Sequence, residues 1–444
     1  MIFLMQLFCV LCMFYTQHVQ PIQDTQSEKH EMHAIPSIGH RDHAIGPAHE
    51  IMHGMYGNYP MTREASGTSW VPDSSPQEGF YIMYKDWMFM VNGFSYLVFD
   101  QQRGPLGNKG KDQVFSSNMF MFMAQKDLCD RATFGLRTMF SLEPLTIKKC
   151  GYPLLLQTGE TCDGKTLLIN KQHPHDLFME LAIVGTYKLD ECSSAFLYAA
   201  LPGEPALGPP VFMMRFASEY IPAAPIGHHW IDATHVTFGV ITAGLVHKGF
   251  KFEVSGFKGR EPDQHRLNIE MPQLDSFSCR ISCNPSDNFA LQASIGFLKS
   301  PEQLTPSENI VRTTLSALYN KSFGQDNNSN FQIAAIVGVN KEEPGKTSPA
   351  FLLDGTVKFC EKHVLFSRFE SVKKDDLFIE PDPLADQPFT VKKITCGYVY
   401  EPIVTHHMKW GIGGLISFSL LPKPVAMRYG DDTSYMLFLQ VRLV

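Results

Sequence analysis

From residue 84 onward the chain breaks into short segments in which apolar and polar residues alternate, and the connections between them alternate in length. The segments run at 85–100, 115–126, 132–143, 176–188, 193–201, 235–247, 249–259, 273–284, 288–299, 309–322, 329–341, 350–360, 363–373, 388–402, 407–420 and 433–443. Strict alternation marks a strand with two unlike faces. In 273–284, Phe277, Cys279, Ile281 and Cys283 oppose Ser276, Ser278, Arg280 and Ser282. In 176–188, Leu177, Met179, Leu181, Ile183 and Tyr187 share one face, and Asp176, Glu180, Thr186 and Lys188 the other. In 433–443, Tyr435, Leu437, Leu439, Val441 and Leu443 oppose Ser434, Gln440 and Arg442. In 407–420 the alternation slips near Gly413 and Gly414, where a bulge is expected.

A soluble sandwich shares this alternation, so the connections decide between the two. After even-numbered segments they are mostly short (191–192, 248, 284–287, 361–362, 403–406). After odd-numbered segments they are mostly long (101–114, 144–175, 202–234, 260–272, 374–387, 421–432). Turns at one end and loops at the other are the layout of an outer-membrane barrel. The expected fold is therefore all-β: a closed antiparallel transmembrane β-barrel of about 16 strands, 14–18 if segments merge or split, with short periplasmic turns and long external loops. The last residue is Val444, where many such barrels carry Phe.

Composition excludes other classes. The chain is 44% hydrophobic, and a helical membrane protein of this length would show long apolar runs. The long run is residues 1–15, MIFLMQLFCVLCMFY, too short to span a bilayer as a helix. It reads as the core of a signal peptide (1–20), although no Lys or Arg precedes it and no small-x-small cleavage site follows. A mobile periplasmic arm (21–76) and the barrel (84–444) come after it. The expected location is the outer membrane of a Gram-negative bacterium. A formal net charge of −7 without a basic block argues against nucleic acid as a partner. Outer-membrane lipid, metal ions and small solutes are the expected partners. The eight cysteines after the signal form no CxxC pair. Cys150 and Cys162 either pair after export or stay as thiols, the thiols being at least as expected.

The arm is unusual. Residues 30–61 hold His30, His33, His40, His43, His49 and His53, interleaved with Met32, Met52, Met55 and Met61. Imidazole suits copper, zinc and nickel, whereas thioether suits Cu(I). The expected ion is copper, as Cu(I) or Cu(II), or else zinc. The plainer reading is a polar linker that happens to be rich in histidine.

Further polar clusters lie in three long connections. One ends in His173, His175 and Asp176; the next holds Arg215, His228, His229 and Asp232 and runs up to His235; the third holds Arg260, Glu261, Asp263, His265 and Arg266. All three follow odd segments, so they share the external end. The favoured reading is a polar network that constricts the pore. The second is a zinc or copper site built from His173, His175, Asp176, His228, His229, Asp232, His235 and His265. Catalysis comes last: the sequence has no GxSxG and no HExxH, and no catalytic residue is assigned.

Seven stretches carry a resemblance: HGMYGNYPMTREASGTSWVPDSSP (53–76), YPLLLQTGET (152–161), QHPHDLFMELA (172–182), LYAALPGEPALGPP (197–210), HHWIDATHVTFGV (228–240), GREPDQHR (259–266) and LKSPEQL (298–304). Together they resemble a family of uncharacterised proteobacterial outer-membrane β-barrel proteins that accompany copper and heavy-metal resistance systems. The resemblance covers nearly the whole chain after the signal. It implies a barrel, a His/Met-rich N-terminus and a metal context, and supplies no catalytic residues. The leading expectation is a non-enzymatic outer-membrane barrel for metal handling or solute passage. The alternatives are a porin with an incidental histidine-rich arm and an outer-membrane hydrolase with a His/Asp site in its loops.

Overall fold

The computed structural model describes residues 53–444 apart from 77, 104–111, 325–326, 406 and 431–432. The expected signal peptide, and arm residues His30, Met32, His33, His40, His43, His49 and Met52, lie outside the described residues.

Sixteen antiparallel strands close into one barrel. They are β1 (Trp87–Gln102), β2 (Gln113–Cys129), β3 (Ala132–Phe140), β4 (Phe178–Asp190), β5 (Ser193–Gly203), β6 (Thr237–His247), β7 (Phe250–Phe257) and β8 (Ser276–Ser286). Then follow β9 (Phe289–Leu298), β10 (Asn309–Phe323), β11 (Ser329–Glu343), β12 (Thr347–Phe359), β13 (His363–Lys374), β14 (Phe389–Val404), β15 (Met408–Leu420) and β16 (Thr433–Leu443). Closure is made by β16 on β1, from Ser434↔Gln102 to Arg442↔Phe94. A short strand, Phe80–Tyr84, pairs with the start of β1 beyond the end of β16. Each segment read from the sequence corresponds to one of these strands.

The two faces sort as the alternation requires except next to register slips, where Met179 and Cys283, expected among the outward residues, are buried. Phe277 is 65% exposed on the outer face, while Ser276, Ser278, Arg280 and Ser282 are buried in the lumen. Leu437 and Leu439 face out; Ser434, Gln440 and Arg442 face in. Inward and outward residues thus meet different solvents, lipid and the barrel's own contents.

The expected bulge is displaced. Gly413 and Gly414 pair in regular register with Phe438 and Leu437, and the irregularity falls on β14 between Tyr400 and Ile403. Leu415 is simply an apolar residue on the inner face. The glycine has a packing reason, since a Cβ at Gly413 would sit 2.7 Å from the Phe438 ring. The loop-length rule also has one exception: residues 344–346 join β11 to β12 at the long-loop end.

Three chain segments fill the lumen. The first is residues 53–79, which enter at the short-turn end. The hydroxyls of Thr186 and Ser194 donate to the carbonyls of Met55 and Tyr56, at 2.8 and 2.6 Å. Arg137 donates to the Ala65 carbonyl at 2.7 Å, Asn284 to the Val71 carbonyl at 2.9 Å, and Arg280 to Thr68 Oγ1 at 2.7 Å. This corrects the expected arm, which was to run mobile as far as residue 76. Residues 53–76 instead pack against the barrel wall, because Tyr56, Tyr59 and Trp70 bury their rings there and the small run Ala65–Gly67 lets the backbone approach. Gly67 has φ +54, and a Cβ on it would lie 2.7 Å from Glu204 Cβ.

The second segment, 141–177, carries the hairpin Tyr152–Thr161 with Leu167–Gln172 and the disulfide Cys150–Cys162. The pair expected at least equally to stay as thiols is therefore bridged; the hairpin brings the two Cα atoms to 5.0 Å. The third segment, 204–236, crosses the barrel. Its backbone is held by Ser255, Ser294 and Arg280 near the start, by Tyr96, Thr356 and Arg368 in the middle, and by Asn340 at the His229 carbonyl. The external-loop clusters were expected around the rim or folded into the mouth; most of their residues fold inward and are buried beneath the rim connections. The cause is the inner wall, whose buried Arg137, Arg280, Arg312, Arg368 and Asp354 offer charge and hydrogen bonds that a loop must enter the lumen to meet.

Candidate functional site

Five histidines meet where the second and third lumen segments touch. All of them are buried. The ring centroids of His173 and His175 are 6.4 Å apart, those of His173 and His229 6.1 Å, and those of His228 and His229 5.5 Å. His235 lies 5.3 Å from His175 and 5.1 Å from His228. His228 and His229 sit on the single helical turn His228–Ile231, and His235 ends the 3₁₀ turn that follows. His173 and His175 flank Pro174 at the foot of the hairpin.

Each ring is oriented through one nitrogen. His175 Nδ1 is 2.7 Å from Glu143 Oε2, which also accepts the His175 backbone N–H at 2.9 Å. His228 Nδ1 is 2.6 Å from Asp232 Oδ1, and Arg215 holds the other oxygen of that carboxylate. His229 Nδ1 is 3.1 Å from Glu261 and 4.0 Å from Glu302. His235 Nδ1 donates to the Asp232 carbonyl at 2.9 Å. His173 Nδ1 donates to the Pro174 carbonyl at 3.0 Å, with its Nε2 2.9 Å from Glu160. The Nε2 atoms of His175, His229 and His235 are buried without a hydrogen-bond partner. A ring tied at Nδ1 to a carboxylate or carbonyl, with Nε2 left over, is the arrangement of a metal-ligating histidine.

The electrostatics divide the rings. Burial holds His228 down to about 4, against the pull of Asp232. Burial also pushes His235 well below the usual imidazole range, with His228 and His175 adding to it. Both stay neutral near pH 7. Burial opposes the charged form of His229 as well, but Glu261 and Glu302 outweigh it and lift that ring to about 9. Burial and the neighbouring Glu261 raise Glu302 to about 7. His229, Glu261 and Glu302 present one donor atom each, all within 4.8 Å of one another. Among the described residues this is the group whose ligand atoms already converge on one point.

The barrel is similar to solved outer-membrane proteins. Salmonella typhi OmpF in complex with daunomycin superposes with a TM-score of 0.53 at 11% identity, over 82% of this chain and 100% of that one. Pseudomonas putida OprB, in a high-pH structure, gives 0.50 at 10% identity, over 81% and 94%. The fold is that of the outer-membrane porins. No protein-family model matches the chain, and no curated protein matches it in sequence.

Within that fold the residues expected from the sequence separate. His173, His175, His228, His229, Asp232 and His235 come together. Asp176 turns instead to Arg266 at 3.1 Å. His265 is exposed in the rim loop against Gln264 and takes no part; its neighbour Arg266 reaches inward to Glu160 and Asp176. His53 and Met55 are at the opposite end, His53 against Asp127 at 3.1 Å and Met55 fully buried against Gly135. The carboxylates Glu143, Glu160 and Glu302 were missed in the sequence. Glu160 and Glu302 lie in TGET and KSPEQL, stretches already singled out, yet a lone Glu in a loop carries no spacing signal. Gly159 was missed too. With φ +111 it needs glycine, and a Cβ there would sit 2.7 Å from His229 Nε2.

Proposed function

We propose that the chain is an outer-membrane barrel that binds a transition-metal ion inside its lumen, at the histidine cluster, rather than a permanently open pore. The observation that carries this is the convergence of His229, Glu261 and Glu302 within 4.8 Å, backed by the unpartnered Nε2 atoms of His175 and His235. Two carboxylates and the imidazole of His229, once it gives up its proton to the ion, suit a borderline divalent ion, Zn(II) or Cu(II). Glu302, whose side chain is 30% exposed, gives the ion access from the long-loop end. The resemblance of the sequence to barrels that accompany metal-resistance systems points the same way. So does the His/Met-rich arm, which in this reading lies on the periplasmic side and loads or unloads the same metal. The partners of the cluster histidines are carboxylates and carbonyls, which favours metal binding over a hydrolase. The porin reading draws support from the fold. Passage of a solute then requires the lumen segments to move, because two cavities beside them measure only about 30 and 20 Å³, room for a water molecule or two.

The test is metal retention by the full-length barrel refolded in detergent. After chelation and dialysis against Zn(II) or Cu(II), the native chain is expected to keep an ion that His229→Ala/Glu261→Gln loses. Replacing His30, His33, His40, His43 and His49 with alanine should leave that ion in place. Equal retention by the native protein and by His229→Ala/Glu261→Gln overturns the proposal.

A further inference from the structure

The connection from β7 to β8, at the long-loop end, has two unlike halves. In the first, Glu261 reaches inward to His229, and Arg266 to Glu160 and Asp176. The second, residues 267–274, turns away from the protein. Leu267, Ile269, Met271 and Leu274 are 60, 43, 80 and 58% exposed. A rim loop bathed in water has no use for so much apolar surface in one place. A contiguous patch of this kind marks contact with a membrane or a partner.

The charges of the stretch are turned aside as well. From 266 to 275 the ionisable residues are Arg266, Glu270 and Asp275. Arg266 points inward, as above. Glu270 folds back onto Lys258 and accepts the Asp263 amide at 2.8 Å. Asp275 accepts the Gly259 amide and the Ser276 hydroxyl, at 2.8 and 2.9 Å. The outward side is left with apolar and uncharged groups. It also adjoins the lipid-facing wall. Pro272 packs on Gly239 of β6, where a Cβ would lie 2.5 Å from Pro272 Cβ. Gly239 falls between the pairs Phe238↔Pro202 and Val240↔Ala200, so it stands opposite Leu201 of β5. Leu201 and Ile241 are 51 and 44% exposed on the outer face, and the apolar wall therefore runs on into the loop.

We propose that residues 267–274 dip into the outer leaflet, where Leu267, Ile269, Met271 and Leu274 contact the acyl chains of outer-membrane lipid. Residues 269–275 belong to no helix or strand. Their backbone therefore stays at headgroup level, where water satisfies it, and the side chains alone reach the acyl boundary. Lipid is favoured over a protein partner because the patch continues the lipid-facing wall and offers no charge by which a partner could be oriented. No side chain of the patch belongs to the histidine cluster, so this proposal and the one above can fail separately.

The experiment uses the full-length protein reconstituted into phosphatidylcholine vesicles whose acyl chains are brominated close to the headgroup, or are not brominated. Bromine quenches tryptophan fluorescence on contact. The native chain has four tryptophans, and its emission is subtracted. The emission added by Met271→Trp is expected in plain vesicles and lost in brominated ones. That added by His265→Trp, on the exposed polar part of the same connection, is expected in both. Emission from Met271→Trp that survives in brominated vesicles overturns the proposal, whether the ring is then open to aqueous iodide or covered by a second copy of the chain. If Met271→Trp fails the heat-modifiable gel shift that marks a folded barrel, Leu274→Trp is measured in the same two lipids. Loss of its added emission in brominated vesicles supports the proposal, and survival overturns it.

Discussion

The lumen contains two regions built in opposite ways. The methionine run of β2 takes its order from strand alternation, so Met119, Met121 and Met123 are in place because a strand turns every second side chain to the same face. The histidine cluster owes nothing to alternation. His175, His229, Glu261 and Glu302 come from four places in the sequence, and they meet because two lumen segments fold inward beneath the rim connections that carry Glu261 and Glu302. Arg137, Arg442 and Glu64 border the methionine run, but its own side chains are apolar and need no charged partner. The second places ionisable groups in a buried space, and each is matched: Glu143 to His175, Asp232 to His228 and Arg215, Glu160 to His173 and Arg266. A site made by a regular element tolerates conservative change. A site made by converging loops depends on its supporting charges.

That contrast can be broken first at Arg215, which joins Asp232 to Asp354 behind the cluster. Arg215→Ala takes the guanidinium from Asp232 and leaves that buried carboxylate to the neutral His228, while Asp354 keeps Arg368. Urea unfolding of the refolded barrel should show a loss of about 3–5 kcal/mol, the usual cost of breaking a buried pair. The corresponding test on the other region is Met121→Leu, whose unfolding should stay within about 1.5 kcal/mol of native. Equal losses in the two variants would erase the distinction drawn here.

Glu143→Gln is a smaller change in the same place. The ring of His175 keeps its packing but loses the carboxylate at Nδ1, so Zn(II) affinity by calorimetry should fall by about 10–100-fold. Gly159→Ala presses a methyl group toward His229 in a backbone conformation that favours glycine. It should cost roughly 1 kcal/mol or more in stability, together with a weaker Zn(II) signal. At the bottom of the scale stands His265→Ala. That residue is exposed in the rim loop, so Zn(II) binding should not change beyond the error of the measurement. A measurable loss there would return His265 to the cluster.

The barrel itself was legible in the sequence. Sixteen alternating segments and the segregation of long from short connections gave strand number, pairing order and the facing of residues such as Phe277 and Arg280. These are consequences of local periodicity, which survives in one dimension. The slips were local as well. The Gly413–Gly414 pair looked like a bulge because Leu415 is apolar on an inner face, and only the neighbouring Phe438 explains why glycine stands there. Among the loop residues, histidines stood out by their density. The carboxylates that orient them did not, because Glu143, Glu160 and Glu302 are single residues whose partners lie up to 106 positions away in the chain.

The sequence by itself determined a closed two-faced sheet and which side chains face lipid, since alternation every second residue fixes both without reference to any distant contact. The tertiary structure decided what fills the interior. Residues 53–76 left the expected arm to become part of the core, the loops folded inward from the rim, and Cys150 met Cys162. Each of those outcomes depends on charges and shapes on the inner wall that are scattered over sixteen strands and become neighbours only when the barrel closes.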